Sequence, residues 1–324
     1  MKVAIVTGCS SGIGIETVRG LGQDEMFSQI ICAVRNPKKM KTAMETAGYS
    51  STVLRKCQIV SLDLASLDSV DEFANTLADL NIKRIDRLVL NAGINDYSNP
   101  SNRTTCDGFD EIWQVNFLAN FYLVCALTPI LKATTASRVV CLSSVMHWLG
   151  NPKGIDGAVA PTTKWWSTYA DTKFAITAFA NELNRRGVVD AVAVNPGSVA
   201  SDIFRDWYSL RIIGRVIRFI FALVLLTCQD GAKTTLYACS DMEERPNTEF
   251  VYLSPYGQIK SKFEWIPFLS DIYWFWIAKD PSKYIGQCKE QTVLVSNGNR
   301  VLETSVRLIS STSSRRREVL MRIW

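Results

Sequence analysis

The chain has 324 residues, 47% hydrophobic and 21% charged, which supplies one large α/β core rather than two small ones. Its net charge of +5 is spread along the chain until the tail, so no basic face for nucleic acid is expected. A single histidine excludes a histidine-rich metal site, and nine cysteines without a Cys-x-x-Cys pair read as reduced core residues of an intracellular protein.

Lys2–Val6 is a short apolar run, the pattern of a buried parallel strand. With a strand beginning at Lys2, no signal peptide or amino-terminal anchor is expected. Thr7-Gly8-Cys9-Ser10-Ser11-Gly12-Ile13-Gly14 follows at once, and a helix is predicted over Gly12–Leu21. Alone, those glycines describe a tight loop. Between a strand and a helix they form a dinucleotide fingerprint: Gly8 permits the turn, Gly12 lets backbone approach ligand, and Gly14 packs helix on strand. The helix start then offers free amides to a pyrophosphate.

Further strands are predicted at Gln29–Val34, Cys57–Leu62, Arg87–Leu90, Arg138–Leu142, Val188–Val194 and Glu249–Leu253. Helices are predicted at Pro37–Ala47, Leu67–Leu80, Gly108–Ala133, Ser167–Arg186 and Ile203–Cys239. This alternation specifies a parallel sheet with helices on both faces. Gly8, Arg35, Asp63, Asn91, Ser144 and Pro196 each end or follow a strand, where ligands of such sheets bind.

Two features bear on chemistry. Arg35 follows the second strand, where a base favours a 2′-phosphate and an acid a free ribose hydroxyl, so NADP(H) is expected over NAD(H), with Ser10 as a second phosphate contact. In Tyr169-Ala170-Asp171-Thr172-Lys173, the Tyr and Lys share one helix face. An ammonium beside a phenol favours the phenolate, bringing Tyr169 below its ordinary pKa of about 10.

Together these motifs resemble the short-chain dehydrogenase/reductase family, in particular its retinol dehydrogenase-like branch. The resemblance runs from Met1 to about Ile309. It implies a Rossmann-type doubly wound parallel sheet of about seven strands in a single domain over residues 1–309. By resemblance, Tyr169 is the acid/base, Ser144 steadies the substrate oxygen with Ser143 structural, and Lys173 lowers the phenol pKa and binds the nicotinamide ribose. Asn116 would complete a proton relay. Cofactor contacts are implied at Gly8, Ser10, Ser11, Gly12, Ile13, Gly14, Arg35, Asp63, Leu64, Asn91, Ala92, Gly93, Tyr169, Lys173, Pro196, Gly197, Val199 and Ser201. Asp63 would contact the adenine amine, and Ser66, the better helix cap, leaves it free to do so. Asn116 inside a helix is poor on propensity and needs a reason to be there.

The chain departs from the family pattern in places. Leu90 replaces the first Asn of Asn-Asn-Ala-Gly, and Ser201 stands where Thr is commoner. The stretch from Ser144 to Tyr169 is longer than usual, which an insert around Pro152–Trp166 explains. His147 resembles a general base, but Tyr169 already fills that role.

The family's substrate lid corresponds to residues 203–228, unusually apolar here, with Arg211, Arg215 and Arg218 on one helix face. A basic amphipathic helix of this kind suits a membrane interface; a lid packed on its own domain or a homo-oligomer interface remains open. The run Phe219–Gln229 is too short to span a bilayer of about 30 Å. Residues 310–324 are expected to form a basic tail, with Ser311–Ser314 a linker and Arg315-Arg316-Arg317 able to meet anionic lipid or simply disordered. The expected function is an NADP(H)-dependent oxidoreductase for a lipophilic retinoid, steroid or fatty aldehyde, cytoplasmic or peripheral on an intracellular membrane. The alternatives are a protochlorophyllide-reductase-like enzyme, disfavoured by Ser198 where those have Cys, and a non-catalytic NADP-binding scaffold.

Overall fold

A computed structural model describes residues 1–95, 104–151, 165–199, 226–241, 252–253 and 289–321. Seven strands, β1 (Lys2–Thr7), β2 (Phe27–Val34), β3 (Cys57–Ser61), β4 (Arg87–Leu90), β5 (Arg138–Leu142), β6 (Asp190–Val194) and β7 (Tyr252–Leu253), form one sheet. Their order is β3-β2-β1-β4-β5-β6-β7 and every pairing is parallel. The order reverses between β1 and β4, so the crevice for a ligand opens above their carboxyl ends.

The strand side chains alternate between two cores, as a period of two requires. Val3, Ile5, Leu88, Leu90, Val139, Cys141, Ala191 and Ala193 enter one core, while Ala4, Val6, Val89, Val140, Leu142, Val192 and Val194 enter the other. The second core is covered by α1 (Gly12–Gln23), α2 (Pro37–Thr46), α3 (Ser51–Lys56) and α7 (Cys228–Cys239). The first is covered by α4 (Leu67–Asp79), α5 (Glu111–Ala133), α6 (Trp165–Arg185), α8 (Lys289–Ser310) and α9 (Ser314–Met321). With both faces covered, strands can be continuously apolar, which is why they were legible.

Helix α5 is long and apolar enough to cross a membrane, but 83% of its apolar window is buried. It is a core helix. Phe117 and Phe121 on α5 meet Phe179 on α6 with ring centroids 6.3 Å and 5.3 Å apart, both edge-on. At the amino ends of the strands, buried Arg87 and Arg138 donate to the last carbonyls of α7, at Cys239 (2.6 Å) and Ala238 (2.8 Å). Guanidinium groups there complement the negative end of that helix.

The expected helix Gly108–Ala133 begins later, at Glu111, because the Asp110 side chain caps it by accepting from Trp113 N. Within it, Gln114–Leu118 is a π turn. Only Cys228–Cys239 of the expected Ile203–Cys239 helix, and Tyr252–Leu253 of the expected last strand, lie among the described residues. Most of the lid and residues 152–164 of the insert lie outside them.

The carboxyl-terminal expectation is corrected. Ser314–Met321 is helix α9, docked on the body with Leu320 buried in the core and Arg316 only 4% exposed. Acidic partners distant in sequence hold that arginine, which a local reading of three arginines beside serines does not reveal. Phe179→Ala is expected to destabilise the fold by about 3–5 kcal/mol through the cavity left between α5 and α6. Urea unfolding measures this, and a loss under about 1 kcal/mol would contradict the packing described.

Candidate active site

The glycine-rich loop is shaped by close approach. Gly8 has φ +63°, and a Cβ there would lie 2.7 Å from Ala92 Cα. A Cβ on Gly14 would lie 2.5 Å from Asn91 Nδ2 and 2.7 Å from Cys9 Cα. Asn91 in turn donates to Thr7 O (2.8 Å) and Gly8 O (3.2 Å), and Ala92 N donates to Thr7 Oγ1 (3.0 Å). The β1 and β4 turns therefore brace each other.

Five other helix starts among the described residues are capped by their own side chains: Asn36, Ser50, Ser66, Asp110 and Thr227. Ser11, at the start of α1, makes no side-chain cap, and the first turn of α1 carries no acid. Open amides and the positive helix end together suit an anion. The cradle fits the pyrophosphate of a dinucleotide, with Ser10, Ser11, Gly12 and Ile13 all partly exposed around it.

Arg35 is exposed just past β2, while its neighbour Asn36 caps α2 by accepting from Lys39 N at 3.0 Å. Past β3, Asp63 N donates to Ser69 Oγ (2.9 Å) and its carboxylate accepts from Ala65 N (3.0 Å). Ser66 is the cap of α4, as its position suggested. Leu64 has its side chain in the core, leaving its main chain for a ligand.

Lys173 is the centre of the reacting end. It is 4% exposed, and its Nζ donates to Leu142 O at 2.9 Å, where β5 ends. The same Nζ lies 5.4 Å from the centroid of the Tyr169 ring. Burial pulls the ammonium pKa down to about 8. A Cβ on Gly93 would come within 3.6 Å of both this Nζ and Asn116 Oδ1, so the Asn91-Ala92-Gly93 turn closes directly over them.

Asn116 sits in the π turn. Its amide accepts from Ile94 N (2.7 Å) and donates to Ile94 O (2.9 Å) and Thr172 Oγ1 (3.2 Å). Asn120 donates to the carbonyls of Val115 (2.9 Å) and Asn116 (3.3 Å), satisfying groups that the widened turn displaces. This is the structural reason for an Asn in an apolar helix. Thr172, which donates to Tyr169 O at 2.7 Å, and Asn120 are supporting residues that the motif reading missed.

The two serines after β5 differ. Ser143 is buried and bonded to Thr177 Oγ1 (2.6 Å) and Lys173 O (3.3 Å), tying β5 to α6. Ser144 is partly exposed and its Oγ accepts only a long bond from Met146 N (3.3 Å) at the start of the 3₁₀ turn Val145–Leu149. His147 is buried with Nδ1 2.7 Å from Ser144 O, and burial lowers its pKa to about 4.

Beyond β6, Pro196 is buried and Gly197 N donates to Asn195 Oδ1 at 3.0 Å. Val199 is buried and pairs with Leu226, whose N donates to Ser198 O (2.8 Å). Residues before and within the last turns of the lid segment are thus joined here, while Ser201 lies outside the described residues.

Comparison with known proteins gives the following. The family model for short chain dehydrogenases matches residues 2–210. The chain is 32% identical over 265 residues to a WW domain-containing oxidoreductase of Drosophila melanogaster, covering 78% of this chain and 61% of that protein. It therefore spans about three fifths of the length of that curated relative. It is also 31% identical over 253 residues to polyprenol dehydrogenase of Mus musculus, covering 75% of this chain and 72% of that one. A solved short chain dehydrogenase from Shigella flexneri complexed with NADP matches with a TM-score of 0.58 at 22% identity, covering 78% of this chain and 96% of its own. At that identity the likeness is one of fold.

The lone histidine gives a clean pH test. The folded imidazole titrates near 4 and the free one near 6.5, so the unfolded chain binds the extra proton first and stability is lost as pH falls through that window. The loss is expected to be about 3 kcal/mol. Urea unfolding of wild type and His147→Asn should diverge between pH 6.5 and 4; parallel profiles would refute the buried neutral imidazole.

Proposed function

The chain belongs to the short chain dehydrogenase family, and from that premise we propose that it interconverts a carbonyl and an alcohol on a lipophilic substrate with NADP(H). The observation that carries this reading is the desolvated Lys173 ammonium beside the Tyr169 ring, bonded to the carboxyl end of β5 and close to Gly93 just past β4.

The bound nicotinamide would supply or accept the hydride. The chain's own residues handle the proton and the oxygen. Lys173, kept mostly protonated at neutral pH even with its pKa near 8, favours the phenolate of Tyr169, so the phenol can give its proton to a forming alkoxide. Ser144, the serine with an uncommitted hydroxyl proton, would donate to the same oxygen. Asn116 and Thr172 brace the backbone around Tyr169 and Lys173, and on this reading Asn116 would complete a proton relay. His147 is held neutral and bonded to Ser144 O, which suits positioning of the serine rather than proton transfer.

Arg35 supports NADP(H) over NAD(H): it is the exposed side chain at the end of β2, and a 2′-phosphate can take its planar fork. A lipophilic substrate is supported by the apolar sequence of 203–228, bracketed by the Val199–Leu226 pair beside the glycine-rich loop. The name of the mouse relative points the same way, since polyprenol is a long apolar alcohol. On this reading the protein works at the surface of an intracellular membrane through residues 207–228. Arg316 and Leu320, buried in the fold, take no part in that contact.

Purified protein is expected to oxidise NADPH in the presence of retinal, a long-chain aldehyde or a steroid ketone. Tyr169→Phe should reduce the rate by about 10²–10⁴-fold with nucleotide binding retained. Absorbance of NADPH reads both, and equal rates for the two proteins would refute Tyr169 as the acid. Arg35→Ala should weaken NADPH binding by roughly 10–100-fold while leaving NADH almost unchanged. Titration of each nucleotide by fluorescence decides this, and an equal loss for both would remove Arg35 from phosphate recognition.

A further inference from the structure

Arg316, the middle of three consecutive arginines, is buried at the docked end of the chain. Its guanidinium bonds Asp68, bonds Asp71 at 3.1 Å and lies 3.8 Å from Asp107. It also donates to Thr312 Oγ1 (3.0 Å) and faces the Tyr122 ring at 6.0 Å, whose hydroxyl donates to Asp71 at 2.6 Å. One side chain therefore joins α9 to α4, to α5 and to the turn before α5.

Asp107 is the member of this cluster that reaches the active site. Its Oδ2 accepts from Leu67 N, the first amide of α4, at 2.8 Å and from Gln114 Nε2 at 2.7 Å. Gln114 opens the π turn that carries Asn116, and its other amide atom accepts from Thr105 Oγ1 at 2.5 Å. Leu67 opens the helix whose first turn holds Asp63 through Ser69. A single carboxylate oxygen thus anchors both the Asp63 turn and the Asn116 turn.

Asp107 is largely buried, with a side chain 10% exposed, and it shares its cation with two more carboxylates. Without the guanidinium, Asp71 and Asp107 lose the cation they share, while Asp68 is already open to water. Asp107 then regains solvation by turning toward water. That turn weakens its grip on Leu67 N and Gln114.

We propose that Arg316 is a positioning residue for the active site, acting through Asp107 to set the Asp63 and Asn116 turns together. The functional part of this rests on the proposed dinucleotide reaction; the structural part does not. The carboxyl-terminal helix is then a part of the working site and more than a cover for the core.

The test uses the full chain and the variants Arg316→Met, Arg316→Lys, Leu320→Ala and Arg317→Met. Amide hydrogen exchange without nucleotide is expected to quicken in Arg316→Met at Leu67 and at residues 114–118. NADPH affinity is expected to fall about tenfold, with the turnover number reduced as well. Arg316→Lys should recover part of both, because it restores the charge without the fork. Leu320→Ala loosens the same helix without touching a carboxylate, and exposed Arg317→Met alters neither; both should keep wild-type affinity. Wild-type exchange at Leu67 and 114–118 in Arg316→Met would overturn the proposal, as would an equal loss of affinity in Leu320→Ala at matched stability. Wild-type protein that fails to bind NADPH would instead refute the proposed reaction, and the exchange comparison would still decide the role of Arg316.

Discussion

The site is organised around one cation held almost out of water. An ammonium has three donors and no acceptor, and burying it is costly unless its surroundings supply oxygen and negative charge. Lys173 gives one donor to Leu142 O, a carbonyl at the very end of β5. That bond fixes the height of α6 against the sheet, and Tyr169, one turn earlier, is carried with it. Gly93 packs close to the same ammonium, and a Cβ there would lie 3.6 Å from both Asn116 Oδ1 and Lys173 Nζ. The Tyr169 ring lies beside the ammonium, with Nζ 5.4 Å from its centroid, and presents a π face to the buried charge.

The two ends of the sheet meet opposite electrostatic needs. At the amino ends of the strands, Arg87 and Arg138 satisfy the carbonyls that end α7, and Asp241 and Asp190 neutralise them. At the carboxyl ends, α1 starts with open amides although serines that could cap it are adjacent. Five helices, α2, α3, α4, α5 and α7, are capped by side chain, whereas α1 starts without one. That start lies where the strand order reverses.

Much of this was legible from sequence, for a physical reason. Strands buried on both faces are unbroken apolar runs, and residues at their carboxyl ends are brought together by the sheet alone. Gly8, Asp63, Asn91, Ser144 and Pro196 needed no long-range information to be grouped. Other features depend on partners far along the chain. The six-residue helix Ser51–Lys56 is too short to show a period, and its cap at Ser50 is its only local signal. The propensity of Asn116 flagged an oddity, yet the π turn became intelligible only with Asn120 and Ile94 in place. Arg316 looked like part of a disordered tail because Asp68, Asp71 and Asp107 lie more than two hundred positions upstream.

The serine pair shows how the same geometry divides roles between adjacent residues. Successive positions leaving a strand point to opposite sides, so one of Ser143 and Ser144 had to face α6 and the other away from it. Ser143 is spent on Thr177 and Lys173 O, inside the core. Ser144 begins the next turn, and its carbonyl takes His147 Nδ1 as partner. A carbonyl can only accept, so that nitrogen carries the proton and the imidazole is locked as one neutral tautomer. An imidazole with its pKa near 4 is a poor base at neutral pH. His147 thus holds the Ser144 turn, while the buried Lys173 ammonium, bonded to Leu142 O, stands beside the Tyr169 ring.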